Sequence, residues 1–211
     1  VLSNKTKAII CVHLAGWPCE MDEIMALAER RGLFVIEDCA QAHGAKYKGR
    51  SVGSIGHIGA WSFCQDKIMT TGGEGGMLTT NNEDYWRKAW AYKDHGKSFK
   101  AVYETEHPPG YRWLHESFGT NWRLTEMQSA IGRIQLTKMK AWQEARSNNA
   151  EIIYDICKKY SWIKVPNIPE YIEHAQYKCY ILVKTDRLTN GISRDNIIKN
   201  INELGVPCYS G

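Results

Sequence analysis

Apolar and polar positions along the chain switch between two periods, and the switches mark the elements. Residues 8–14, AIICVHL, form a short apolar run closed by the turn residues of GWP at 16–18, which predicts a buried β-strand. From Cys19 the apolar positions Met21, Ile24, Met25, Leu27, Ala28 and Leu33 follow the 3.6-residue repeat of a helix, and Gly32 ends it. LFVIED, residues 33–38, supplies a second buried strand. Strand, helix and strand in such close succession predict a βαβ unit, with parallel strands whose carboxyl ends gather ligands. Asp38 stands at such an end.

Farther on, AWSFC at 60–64 reads as a strand, with Lys67 three residues beyond it, and MLTT at 77–80 as another. Residues 84–92 are helical in composition. The stretch 95–121 is polar and irregular, yet it carries Phe99, Tyr103, Tyr111, Trp113 and Phe118, which predicts an ordered functional or intersubunit loop rather than disorder. A helix begins at Thr125 with a capping-box spacing to Gln128 and an apolar face of Met127, Ile131, Ile134 and Leu136. A second helical run covers about 138–159, QYKCYILVKT at 176–185 is strand-like, and Ser193 caps the helix RDNIIKNINELG. The pattern predicts an α/β fold: a mostly parallel sheet in a major domain over 1–137, an interdomain helix over 138–159, and the beginning of a small α+β C-terminal domain over 160–211.

Composition narrows the classes. With 43% hydrophobic residues in 211, the chain can build a core. The net charge of +4 comes from 27 basic and 23 acidic residues scattered without a basic block, so no nucleic-acid patch is expected. Seven cysteines without a C-x-x-C pair argue against a disulfide framework and a metal site and fit a reducing compartment, the cytoplasm. No apolar run approaches the ~18 residues of a membrane span.

Residues 61–77, WSFCQDKIMTTGGEGGM, set Lys67 between a Ser-Phe pair and a glycine-rich loop. Taken singly, a lysine is a solvated charge, Asp38 a turn former, Ser62 a structural hydroxyl, and the glycines a tight turn. Together they match a chemistry. An amine that forms a Schiff base needs a useful unprotonated fraction. A pyridine cofactor needs a carboxylate to keep its ring nitrogen protonated, and a phosphate needs hydroxyl and backbone N–H donors.

In order and spacing, TKAIICVHLAGWPCEMDEI, VIEDCAQAHGAKYKGRSVGSIGHIGAWSF, the lysine segment with TTGGEGGM, KDHG and FGTNWRLTEMQSAIGRIQL resemble the DegT/StrS family of sugar aminotransferases, which use pyridoxal 5′-phosphate on the aspartate aminotransferase fold. The resemblance covers essentially the whole chain. It implies that Lys67 bonds the cofactor and moves the proton between substrate and cofactor carbons, and that Asp38 pairs with the pyridinium nitrogen. It also implies that Gln41 lies near the phenolic oxygen, that Ser62 binds the phosphate, and that Asn121 reaches the phosphate of the neighbouring subunit in a homodimer. The dehydratase branch carries histidine at the lysine position, so Lys67 points to transamination. The implied reaction moves an amino group, from glutamate, to a nucleotide-linked keto-sugar. His95, in KDHG, receives no role.

Segments that in this family precede and follow the quoted ones are absent, so the chain is expected to be a central fragment with an exposed sheet edge. Two rivals remain: a pyridoxal-phosphate enzyme acting on another keto substrate, and a non-catalytic remnant.

Overall fold

A computed structural model of the chain describes residues 2–188 and 191–210. The order is β1 (Ala8–Val12), α1 (Met21–Arg31), β2 (Phe34–Asp38), β3 (Lys46–Tyr47), β4 (Arg50–Ser51), β5 (Ile58–Ser62), β6 (Gly76–Thr79), α2 (Glu83–Lys93), α3 (Phe99–Tyr103), α4 (Glu126–Cys157), β7 (Ile163–Lys164), β8 (Ile172–Glu173), β9 (Leu182–Val183) and α5 (Arg194–Glu203). The main sheet runs β1-β2-β5-β6. Its first three strands are parallel, Ile10 facing Ile36 and Asp38 facing Ala60, and β6 closes it antiparallel with Ser62 opposite Gly76. The fold is the expected mixed α/β architecture with a mostly parallel sheet.

Local chemistry places α1. Asp22 and Glu23 occupy its first turn and Arg30 and Arg31 its last, complementing the helix dipole, and Gly32 ends it in the left-handed region. Met21 and Ala28 face inward, joining Cys11, Leu33, Val35, Tyr47 and Ile172 in one core cluster. Cys39, Ala42, Ala45, Val52 and Ala175 form a second. Both clusters draw on residues beyond α4, because β8 pairs with β3. β1 and β6 are the outer strands of this sheet, and Ile10 on β1 is 67% exposed.

Glu37 organises the middle of the sheet. Fully buried, it accepts hydrogen bonds from Gly53 N, Ile55 N, Gly56 N and His13 Nε2 at 2.8, 2.8, 2.6 and 3.0 Å. His13 Nδ1 in turn accepts from Cys19 N at 3.0 Å, which fixes its Nε2–H tautomer. Burial works against the Glu37 charge, but His13 and the three backbone donors outweigh it and hold the carboxyl below its usual range. Cys39 Sγ is close to the His13 and Glu37 ligand atoms. The hydrogen bonds already occupy the imidazole and carboxylate, so the trio is a structural network rather than an open ligand set.

Three readings of the sequence change. The two helical runs expected from Thr125 and over 138–159 are one 32-residue helix, α4. Its apolar face is largely exposed: Met127 is 77% and Leu136 64% exposed, while Ile131 lies against Gly72 of the glycine loop. The buried positions are Gly132, Ala150, Tyr154 and Cys157 instead, and Gln128, Gln135, Gln143 and Arg146 bond to loop backbone. The strand expected over 176–185 shrinks to Leu182–Val183, because Ala175, Tyr177 and Lys178 spend their N–H groups on a loop after β1 and Gln176 N donates to His174 Nδ1.

Candidate functional site

Parallel pairing brings Val12, Asp38 and Ser62 to the same edge of the main sheet, since each ends its strand. The antiparallel β6 starts at that edge, so the glycine loop that precedes it lies there too. Asp38 Oδ1 accepts from Ala40 N at 3.0 Å. Three residues on, Gln41 Oε1 accepts from Ala15 N at 2.7 Å. Ser62 Oγ accepts from Cys64 N at 3.3 Å. Each of these side chains keeps hydrogen-bonding capacity unspent among the described residues: the second Asp38 oxygen, the Gln41 amide N–H₂ and the Ser62 hydroxyl proton.

Lys67 follows β5 in a turn, its N–H bonded to Cys64 O at 3.1 Å, and its side chain is only 16% exposed. The amine lies 3.4 Å from Asp66 Oδ1 and 5.3 Å from the centroid of the Tyr177 ring. Burial disfavours the ammonium, yet Tyr177 and Asp66 outweigh it and push the Lys67 pKa up. The loop after Lys67 is gripped by α4: Thr70 N donates to Gln135 Oε1 at 2.8 Å, and Gln128 Nε2 donates to Glu74 O at 2.6 Å.

Beneath this edge lies His43, 4% exposed, its ring 5.2 Å from Trp61 and 5.9 Å from Phe63. Neither ring nitrogen makes a hydrogen bond among the described residues. Burial, with the Arg146 and Lys67 charges, pulls its pKa down to about 4, against a weaker pull from the nearby Ser62 carbonyl. The imidazole is therefore neutral at pH 7.

Asn121 stands apart from these groups. It bridges to Asp94, accepts from Arg123 Nε at 3.1 Å, and is exposed; none of its hydrogen bonds reaches Asp38, Gln41, Ser62 or Lys67. The backbone of His95 ties down the same segment. Its N–H donates to Thr120 O at 2.8 Å and its carbonyl accepts from His115 Nδ1 at 2.9 Å. Next to it, Gly96 (φ 72°) lies so close to Ser117 O that a Cβ there would sit 1.7 Å away. A cavity of about 330 Å³ between the end of β1 and Tyr154 contains none of the candidate residues.

Residues 1–209 match the model of the DegT/DnrJ/EryC1/StrS aminotransferase family. The chain belongs to this family. Its aminotransferases are pyridoxal-phosphate enzymes. An aminotransferase from Psychrobacter cryohalolentis has the same structure with a TM-score of 0.98 and 66% identity, over 100% of this chain and 55% of that one. S. venezuelae DesV superposes with a TM-score of 0.81 at 29% identity, over 97% of this chain and 50% of its own. Among curated proteins, the GDP-perosamine synthase of Escherichia coli O157:H7 is 40% identical over 186 residues, 87% of this chain and 47% of its own. The chain spans about half the length of the curated relatives it matches.

The residues present fit the family's cofactor. A free carboxylate oxygen, an amide donor, a hydroxyl donor and a primary amine on one sheet edge are the donor set that a phosphorylated pyridine aldehyde requires. Sequence reasoning named Asp38, Gln41, Ser62, Lys67 and Asn121; it did not single out Asp66 and Tyr177, which lie beside Lys67, or the buried His43. Tyr177 was hidden inside a supposed strand; His43 follows Gln41 by two residues and carried no separate signal.

Proposed function

We propose that this chain serves the transfer of an amino group, from glutamate, to the keto carbon of a nucleotide-linked sugar. The observation that carries the reading is the set of Asp38, Gln41, Ser62 and Lys67 at one carboxyl edge, each with unspent bonding capacity. Similarity to a GDP-perosamine synthase and to a dTDP-3-amino-3,4,6-trideoxy-alpha-D-glucose transaminase supports the substrate class.

When bound, the pyridoxal group supplies an electron sink that makes the carbon bearing the transferred nitrogen acidic. The Asp38 carboxylate holds the proton on the ring nitrogen. Gln41 donates its amide to the phenolic oxygen, and the Ser62 hydroxyl donates to the phosphate. Lys67 anchors the group in the resting site; once released, its amine takes and returns the proton at the substrate carbon.

A homodimer with Asn121 reaching the neighbouring phosphate completes the reading. It is supported by the exposed aromatic surface around Asn121, where Phe118, Trp113 and Trp122 are 98, 84 and 70% exposed. Seven free cysteines favour the cytoplasm, and among the described residues no helix is long and apolar enough to cross a membrane.

The test supplies pyridoxal phosphate and L-glutamate, follows loss of the visible absorption band, and then adds a panel of nucleotide-linked keto-sugars. Formation of 2-oxoglutarate and of one aminated sugar supports the proposal. A loaded chain that turns over other keto acids but no keto-sugar overturns the substrate class.

A further inference from the structure

The segment after β8 returns to the lysine loop, and its backbone is pinned for the purpose. Ala175 N donates to Gly16 O at 2.9 Å, and Tyr177 N and Lys178 N donate to Ala15 O at 3.1 and 3.3 Å. Gly16 (φ 92°) has no room for a side chain, since a Cβ would stand 2.8 Å from that of Ala175. Gln143 Nε2 and Arg146 Nε, on α4, bind the carbonyls of His174 and Ala175 at 2.7 and 3.1 Å. Held on both sides, the segment delivers Tyr177 to the lysine. Tyr177 Oη donates to Asp66 Oδ2 at 3.0 Å. The other oxygen of the same carboxylate faces Lys67 Nζ at 3.4 Å, and the Tyr177 ring lies 5.3 Å from that nitrogen.

We propose that Tyr177 is a positioning residue for Lys67: its hydroxyl fixes the Asp66 carboxylate, and carboxylate and ring face together hold the lysine as an ammonium in the cofactor-free site. The proposal rests on the function proposed above only for the statement that Lys67 is the residue that captures the cofactor; the contacts themselves need no cofactor. A free lysine on a four-carbon stem has many rotamers and swings to water unless something retains it. A carboxylate whose two oxygens are divided between a phenol and an ammonium is oriented, and a ring face adds a second, non-competing attraction.

The charges agree with the geometry. The Tyr177 hydrogen bond, with one from Cys64, holds the Asp66 carboxyl low, so the partner is ionised. Other titratable groups at this end are Lys178, whose Nζ lies 5.2 Å from the centroid of the same Tyr177 ring, Cys64 with Glu74, 3.5 Å apart, Asp38 at the end of β2, and the buried neutral His43. The ammonium cannot attack a carbonyl, so the same contacts make cofactor capture slower as pH falls.

The test uses the cofactor-free chain. Acetic anhydride labelling at fixed pH is read by mass spectrometry on the Lys67 peptide, with exposed Lys5 and Lys100 as internal references. Asp66→Asn and Tyr177→Phe should each raise the Lys67 rate by about twofold to fivefold, the range that a partly exposed ion pair gives, and leave the references unchanged. Phenylalanine keeps the ring, so the double variant should match Asp66→Asn alone. An unchanged Lys67 rate in Tyr177→Phe, or additive effects in the double variant, overturns the proposal. Circular dichroism of each variant separates these outcomes from misfolding. Because no cofactor is present, failure here leaves the proposed transamination standing, and failure of cofactor binding leaves this result standing.

Discussion

Replacing Glu37 by glutamine tests how the sheet is locked. The carboxylate makes four hydrogen bonds, two on each oxygen: His13 Nε2 and Gly53 N on Oε2, Ile55 N and Gly56 N on Oε1. Glutamine keeps one oxygen and turns an N–H₂ toward the other pair, so two bonds are lost and two buried donors face donors. Each buried group left without a partner costs about 1–3 kcal/mol, so with two such groups the expected loss is about 2–6 kcal/mol, a large part of a usual stability of about 5–15 kcal/mol. Urea unfolding followed by tryptophan fluorescence reads it directly, and hydrogen exchange at Gly53, Ile55 and Gly56 should accelerate locally. The pH dependence has a definite sign. The Glu37 carboxyl titrates below its usual range when folded, so its contribution is present above the unfolded-state pKa and is lost as pH falls through the folded one. A loss below about 1 kcal/mol with an unchanged denaturant slope would refute the reasoning.

Burial lowers the pKa of His43 and His174 to about 4. Stability should therefore decline between about pH 6.5 and 4, where the unfolded chain takes up protons that the folded one refuses; His43→Leu, which removes an unbonded buried imidazole, should flatten that decline in urea titrations at stepped pH. Gln135→Leu removes the acceptor of Thr70 N and should cost about 1–3 kcal/mol, seen as faster exchange of the Thr70 amide with little change at α1. Gly96→Ala and Gly49→Ala both place a side chain on a left-handed φ (72° and 75°), but only the first also meets Ser117 O, so Gly96→Ala should lower the urea midpoint by more than Gly49→Ala does.

Legibility followed the range of the forces involved. The βαβ opening was plain because its signals are local: the apolar repeat of α1, the Gly32 stop and two apolar strands all agree with what forms. The Thr125 capping box formed as spaced, with Thr125 N and Gln128 N bonding each other's side chains. The face of α4 was misjudged because hydrophobicity was taken to mark the inside. What α4 meets is loop backbone with open N–H and C=O groups, and glutamines satisfy those where leucines could not. Of the site, the residues on or just after strand ends were readable from order and spacing. Tyr177 was not, because its contact with Asp66 spans 111 positions and depends on a left-handed Gln176 (φ 51°) that no pattern of apolar residues announces.

The central claim is that Lys67 carries the cofactor, and one measurement addresses it most directly. The purified chain is mixed with pyridoxal phosphate, reduced with borohydride, digested and mapped by mass spectrometry, beside Lys67→Ala. The account predicts a phosphopyridoxyl adduct on the Lys67 peptide and none in the variant. A folded chain with no adduct at Lys67, or with the same scattered lysine labelling in both proteins, would contradict it.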